Sequence, residues 1–304
     1  MTNTNIAAAA SFGCLFLLAV YVTTMHRRDS SHVLYTAEPG VVVVGIFKNE
    51  AEGLAEWCDH YLKMQGVKHL YLIDNNSTDA WPAALAPYRE NVTVVSQPLP
   101  HAQIDYYNSF VPLLREKHAN DWVFVLDIDE YLHPTAPGST IASVVRTNSY
   151  FRTHSHISIR WKMFGSSGLA MQPASIRCAF TRRMNEDKKR SFWKRNTINV
   201  KSGVAIRHLY KLGIHSHSYW NNGFVVRVIY PRGGERIRGE QELKSTLFQL
   251  NHYPIQSLDW FNRIKMTRGD ANAQREDNVR NANYFARYDH NDVEDRTLAN
   301  RACN

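Results

Sequence analysis

The run Trp122-Val123-Phe124-Val125-Leu126 constrains the chain most, because it is apolar, rich in β-formers and ends abruptly in Asp127-Ile128-Asp129-Glu130. Such a run reads as a buried parallel strand that carries carboxylates out at its carboxyl end. Asp127 and Asp129 are two residues apart, and extended backbone turns both to one side. Two hard oxygen ligands there suit Mg2+ or Mn2+ together with a phosphate-bearing substrate. Ligands of open α/β sheets gather at that edge. At such a strand end Asp129 would lie at the surface, where replacement by Ala leaves the fold intact. Taken alone, Asp-x-Asp is equally an acidic turn, so the rest of the chain has to decide.

Val41–Phe47 reads as a strand buried on both faces, ending in Lys48-Asn49-Glu50. Leu54, Trp57, Cys58, Tyr61 and Leu62 then fall on one face of a helix that Gly66 stops. A strand over 68–73 ends in Asp74-Asn75, a helix follows with Pro82 in its first turn, and Val92–Val95 is a third strand. One helix over 104–117, with Ile104, Tyr107, Val111 and Leu114 inward, leads to the strand before Asp127. This alternation predicts an α/β chain with a doubly wound parallel sheet. Lys48, Glu50, Asp74, Asn75, Asp127 and Asp129 would then share one edge.

The second half reads differently. An alternating strand over 157–164 runs into a flexible loop, Gly165-Ser166-Ser167-Gly168. Short strands are expected near 204–206, 224–229 and 247–250, then a helix capped by Ser257, with Trp260, Phe261 and Ile264. A last helix spans about 275–287, and the polar residues after 290 read as a frayed tail.

The formal charge of +8 and pI of 9.3 fit an anionic partner. The richest basic patch, Lys188 to Arg195, is short and follows Glu186 and Asp187, so a nucleic-acid partner is not expected. No Gly-x-x-x-x-Gly-Lys-Ser/Thr or Gly-x-Gly-x-x-Gly is present, which excludes P-loop and dinucleotide readings. The cysteines Cys14, Cys58, Cys178 and Cys303 form no Cys-x-x-Cys pair, and one disulfide among the last three is open. Residues 6–22 carry no charge and lack a cleavage site, and so read as a single N-terminal membrane anchor. The chain then divides into an anchor (1–25), a linker (26–40), one domain (41–290) and a tail (291–304). Arg27 and Arg28 follow the anchor, which by the positive-inside rule puts the domain in the cytosol.

Several further segments carry a resemblance. Phe47-Lys48-Asn49-Glu50, Glu56-Trp57-Cys58-Asp59-His60-Tyr61, Asp74-Asn75-Asn76-Ser77-Thr78-Asp79 and Asp127-Ile128-Asp129-Glu130-Tyr131 occur in order. Trp161 to Gly168, then Asn251-His252-Tyr253-Pro254 with Ser257, Phe261, Lys265, Arg268 and Gly269, follow them. Together they resemble GT-A fold glycosyltransferases of the glycosyltransferase-2-like and family 92 group. The resemblance implies a Rossmann-like mixed sheet and transfer of a hexose, galactose in family 92, from a UDP-sugar to a glycan acceptor, with Mn2+ or Mg2+ and inversion. It implies that Asp74 and Asn75, near Lys48 and Glu50, hold the nucleotide, and that Asp127 and Asp129 hold the metal and donor. His215 would be the added histidine ligand, with His217 and His252 as alternatives. Lys265 and Arg268, on one helix face, would neutralise the leaving diphosphate; a solvated basic face is the competing reading. Trp161, Phe164 and Trp193 would stack on sugar or fill the core. An inverting reaction needs a base, for which Glu130, Glu186 and Asp187 are candidates. The implied location is the Golgi lumen, opposite to what Arg27 and Arg28 predict. Three other classes remain open: a haloacid-dehalogenase-type phosphatase with Asp127 as nucleophile, a non-catalytic carbohydrate-binding membrane protein and a nucleic-acid binder. Tyr131 stands where the phosphatase pattern wants Thr or Val.

Overall fold

The computed structural model describes residues 38–99, 102–185, 200–227, 247–268 and 280–303. The expected anchor, the Lys188 to Arg195 patch, Glu186, Asp187 and Trp193 lie outside the described residues. Among those described, no helix is long and apolar enough to cross a membrane.

The first strands are β1 (Val41–Phe47), β2 (His69–Asp74), β3 (Val92–Ser96), β4 (Trp122–Val125), β5 (Glu130–Pro134) and β6 (His156–Met163). They are followed by β7 (Arg182–Arg183), β8 (Val200–Ala205), β9 (Leu209–Lys211), β10 (Ser218–Asn221), β11 (Phe224–Arg227), β12 (Phe248–His252) and β13 (Val293–Glu294). Eight of them form one sheet in the order β3-β2-β1-β4-β8-β6-β12-β5. β1 pairs in parallel with β2 and β4, and β2 with β3, as the βα alternation predicts. The second half departs from it. β8 runs antiparallel between β4 and β6, and β5 runs antiparallel to β12 at the far edge, so the sheet is mixed. Two close approaches hold β4 in register. A Cβ on Gly45 of β1 would meet Leu126 O at 2.9 Å, and one on Gly203 of β8 would meet the Phe124 ring at 2.5 Å.

The expected helix face is realised. In α1 (Ala51–Cys58) Leu54, Trp57 and Cys58 are fully buried, and Tyr61 joins them from a π-helical continuation over Asp59–Met64. The helix α2 (Trp81–Leu85) carries Pro82 in its first turn, where no intrahelical donor is lost. The single helix expected over 104–117 is instead two, α3 (Gln103–Ser109) and α4 (Val111–Lys117). Pro112 has no N–H to donate back to α3, so the helix restarts at Phe110. Tyr107, Val111 and Leu114 still point inward, while Ile104 is half-buried.

The remaining helices used below are α5 (Ile141–Thr147), α6 (Tyr150–Thr153), α7 (Ile176–Ala179), α8 (Leu258–Arg263) and α9 (Ala282–Tyr288). Ser257 caps α8 by accepting from Trp260 N–H at 3.1 Å, as expected. The expected last helix begins later than about 275: α9 starts at Ala282, where Asn281 Oδ1 caps it by accepting from Tyr284 N–H at 3.0 Å.

Two expectations for flexible segments are corrected. The Gly165–Gly168 loop is fastened: Ser166 and Ser167 N–H donate to Asp289 and Asn291 side chains, each at 2.8 Å. The expected frayed tail is part of the domain. β13 pairs with β7, Asp295 is buried against Arg183 at 2.7 Å, and Cys303 is joined to Cys178. Polar composition does not fray a segment whose charges find buried partners.

Candidate functional site

β4 ends at Val125, and residues 126–129 turn the chain before β5. Packing from α1 holds this turn. Trp57 Nε1 donates to Asp127 O and Glu130 O, each at 3.1 Å. Tyr61 Oη donates to Glu130 O and accepts from Leu132 N–H, both at 2.9 Å. His60 Nε2 lies 2.8 Å from Leu132 O. The wider π turn lets His60 and Tyr61, neighbours in sequence, both reach β5.

Asp127 and Asp129 therefore sit in a turn rather than on extended backbone, and they meet different cations. Lys201 of β8 is fully buried; its Nζ lies 2.8 Å from Asp127 Oδ2 and 3.5 Å from Glu130 Oε2. Lys265 Nζ donates to Asp129 Oδ2 at 2.6 Å, and His252 Nε2 lies 3.5 Å from Asp129 Oδ1. Asp129 is buried with Lys265, so the expectation that its removal leaves the fold intact is withdrawn. Glu50, also buried, pairs with Arg268, which donates to Lys48 O at 2.7 Å. Lys265 and Arg268 are thus engaged with carboxylates and do not form a solvated face.

Electrostatics separate these acids. Burial acts to raise the Asp129 carboxyl, but Lys265 and His252 outweigh it and hold it well below the usual range. Burial raises Glu130 well above its ordinary value, with Lys201 only partly opposing. Glu50 is likewise raised by burial against the pull of Arg268. Glu130 Oε2 accepts the Asp127 N–H at 2.9 Å, which ties its carboxylate to the turn.

At the other strand ends Asp74 and Asn75 are buried and busy. Asp74 accepts from Ser77 N–H at 2.8 Å and Ser96 Oγ at 3.2 Å; Asn75 donates to Gln97 O and Leu99 O. Asn49 accepts from Thr78 N–H at 2.7 Å, which stitches the end of β1 to the turn after β2.

His215 Nδ1 lies 3.1 Å from Val200 O, and its ring centroid is 5.5 Å from that of Trp161. Trp161 in turn lies 4.3 Å from the His252 ring. Burial and then Lys201 push His215 down to about 4, leaving the neutral imidazole that a metal requires. His217 has both ring nitrogens used, one accepting from Gly213 N–H and the other 3.0 Å from Ser202 O, so it serves the loop. Phe164 is fully buried against Tyr253 and belongs to the core rather than to a sugar platform. Trp161 stays half-buried beside the two histidines.

Sequence reasoning missed Lys201. Its signal was a lone lysine inside Val200-Lys201-Ser202-Gly203-Val204-Ala205, a strand buried at every position.

Whether a divalent cation fits is tested by the unsatisfied acceptors. Asp127 Oδ1 and Glu130 Oε1 are buried without hydrogen-bond partners, as is His252 Nδ1. Hard carboxylate oxygens with an imidazole nitrogen nearby are a donor set for Mn2+ or Mg2+. Among the described residues, no three acidic, histidine or cysteine side chains already converge on one point. The donor chemistry fits at Asp127, which has a free oxygen, whereas both Asp129 oxygens are already engaged, by Lys265 and by His252.

Residues 41–300 match Glycosyltransferase family 92. A relative from Oryza sativa subsp. japonica, "Glycosyltransferase family 92 protein Os08g0121900", is 29% identical over 152 residues, 49% of this chain and 24% of its own. The match thus spans about a quarter of that relative's length. Among solved structures, S. aureus TarS 1-349 in complex with UDP aligns with a TM-score of 0.32 at 16% identity, over 44% of this chain and 38% of that one. The mannosyltransferase PcManGT from Pyrobaculum calidifontis, in complex with GDP-Man and Mn2+, aligns with a TM-score of 0.34 at 15% identity, over 55% and 45%. The mixed sheet with its acidic turn is thus that of a glycosyltransferase-class chain. More narrowly, the chain belongs to glycosyltransferase family 92. Membership removes the phosphatase and nucleic-acid readings.

Proposed function

We propose that the chain transfers a hexose, galactose by its family resemblance, from a UDP-sugar to a glycan acceptor with inversion at the anomeric carbon. The observation that carries this is the cluster at the sheet edge, where Asp127, Asp129 and Glu50 face Lys201, Lys265 and Arg268. Paired charges of this kind are the groups that a diphosphate and its cation can repartition. In this reading Asp74 and Asn75 border the uridine, with Lys48 and Glu50 beside it. Lys265 and Arg268 orient the diphosphate. Asp127 and Asp129, with His215, hold Mn2+ or Mg2+, which when bound stabilises the departing diphosphate as a Lewis acid. The burial of Glu130 and its bond to the Asp127 amide support a positioning role for it. Glu186 and Asp187 then carry the proposal for the base. The Cys178–Cys303 disulfide supports an oxidising compartment, hence a domain on the lumenal side of a Golgi membrane, anchored by residues 1–25.

The test is calorimetric titration of the full chain in detergent with UDP, with and without Mn2+. Micromolar binding that requires the metal is expected, followed by transfer from a radiolabelled UDP-hexose. Absence of binding by UDP and GDP under both conditions would remove the transferase reading.

A further inference from the structure

Lys201 is a fully buried ammonium between two carboxylates, on a strand whose backbone pairs on both sides with β4 and β6. Stability does not explain it, because apolar residues replace buried ion pairs at no loss in many cores. Its surroundings suggest another role. Four acidic side chains, Glu50, Asp127, Asp129 and Glu130, face three cations, Lys201, Lys265 and Arg268. The cluster is close to charge balance as it stands.

We propose that Lys201 is a resident counter-cation that closes the acidic turn in the ligand-free chain, so that a divalent cation enters only together with a nucleoside diphosphate. This rests on the reading of the site as one for a nucleotide-sugar. A lone divalent ion would add two positive charges beside a fully buried ammonium already seated on the same carboxylate, which is itself only partly exposed. A diphosphate arriving with the ion cancels that excess. Lys201 also selects the oxygen. It occupies Asp127 Oδ2 and leaves Oδ1 buried and without a partner, which is the atom open to the incoming ion.

Electron paramagnetic resonance of Mn2+ tests this on the full chain, independently of catalysis. Wild-type protein should leave the free Mn2+ signal intact until UDP is added, and should then lower it beyond the depletion that UDP alone causes. Lys201→Met should deplete the signal without UDP, with affinity for Mn2+ alone raised roughly ten-fold or more. Lys201→Gln, which keeps a hydrogen-bond donor but no charge, should behave as Lys201→Met does. Lys201→Arg should retain the wild-type requirement. Circular dichroism identifies which variants fold, and any one of the uncharged pair decides the matter. Wild-type protein that binds Mn2+ equally well with and without UDP would overturn the proposal, as would uncharged variants that match the wild type. If UDP binds nothing, the nucleotide-sugar reading falls, while the comparison in Mn2+ alone still judges Lys201.

Discussion

β1 and β4 on one side of the sheet, and β8 and β12 on the other, are buried at every position, yet they are made of different material. β1 and β4 are apolar apart from Gly45, and their one polar side-chain atom, Trp122 Nε1, donates to Phe151 O at 3.3 Å. β8 and β12 carry Lys201, Ser202, Gln249, Asn251 and His252 into the same depth. Each of these needs a partner, because an unpaired polar group in the interior costs more than its pairing gains. Gln249 Nε2 donates to Asn251 Oδ1 at 2.8 Å, Asn251 Nδ2 to Tyr253 Oη at 2.9 Å, and Lys162 Nζ to Gln249 Oε1 at 2.6 Å. Burial alone therefore does not distinguish scaffold from site. The first half tolerates a change of shape poorly, and the second half tolerates a change of charge poorly.

The largest effect that would break this contrast is expected at Asp129. Asp129→Ala strips the partner from buried Lys265 and should cost about 3–5 kcal/mol, besides abolishing transfer. Chemical denaturation together with a transfer assay measures both, and a variant as stable as wild type would mean that the pair is not buried as described. In the apolar half, Leu72→Ala should cost about 2–4 kcal/mol through the cavity it leaves. Its kcat per folded molecule should be unchanged. A loss of kcat like that of Asp129→Ala would erase the distinction between the halves.

The smallest effect concerns acid. His217, on the polar side, is pushed down to about 4 by burial, with its bond to Ser202 O opposing. The unfolded chain takes that proton first, near its ordinary pKa of about 6.5, so stability is full above that pH and is lost as pH falls toward 4. Between pH 6.5 and 5 the loss from His217 should be about 2 kcal/mol. Burial holds His60, His133, His208 and His215 down as well, so unfolding midpoints across that range should fall more steeply than His217 alone requires, and His217→Asn should remove only its share of the slope.

How much of this could be read from the residues follows the same division. The bounds of β1, the inward face Leu54-Trp57-Cys58-Tyr61 and the carboxylates after β4 all came from apolar periodicity and its abrupt end. That signal exists because apolar side chains dominate the buried faces of those elements, and the polar atoms of Trp57, His60 and Tyr61 are spent on the turn and β5. Lys201 was hidden, because Val-Lys-Ser-Gly-Val-Ala reads as a half-exposed strand once its lysine is assumed to need water. The segment after residue 290 was misread for a related reason. Asp295 is buried only because Arg183 and Lys162, far away in sequence, come to meet it. The break before Pro112 was written in the sequence and required only that its missing N–H be weighed above the apolar spacing.

Cys178 and Cys303 close a covalent ring across 125 residues. Lys201, His215, His252 and Lys265 all ride on that ring, while Asp127 and Asp129 lie outside it. A protease that nicks the backbone once within the ring opens it without dividing the molecule. In denaturant the two pieces travel as one until a thiol is added, and reduction then parts the cations on the far piece from the carboxylates they neutralise.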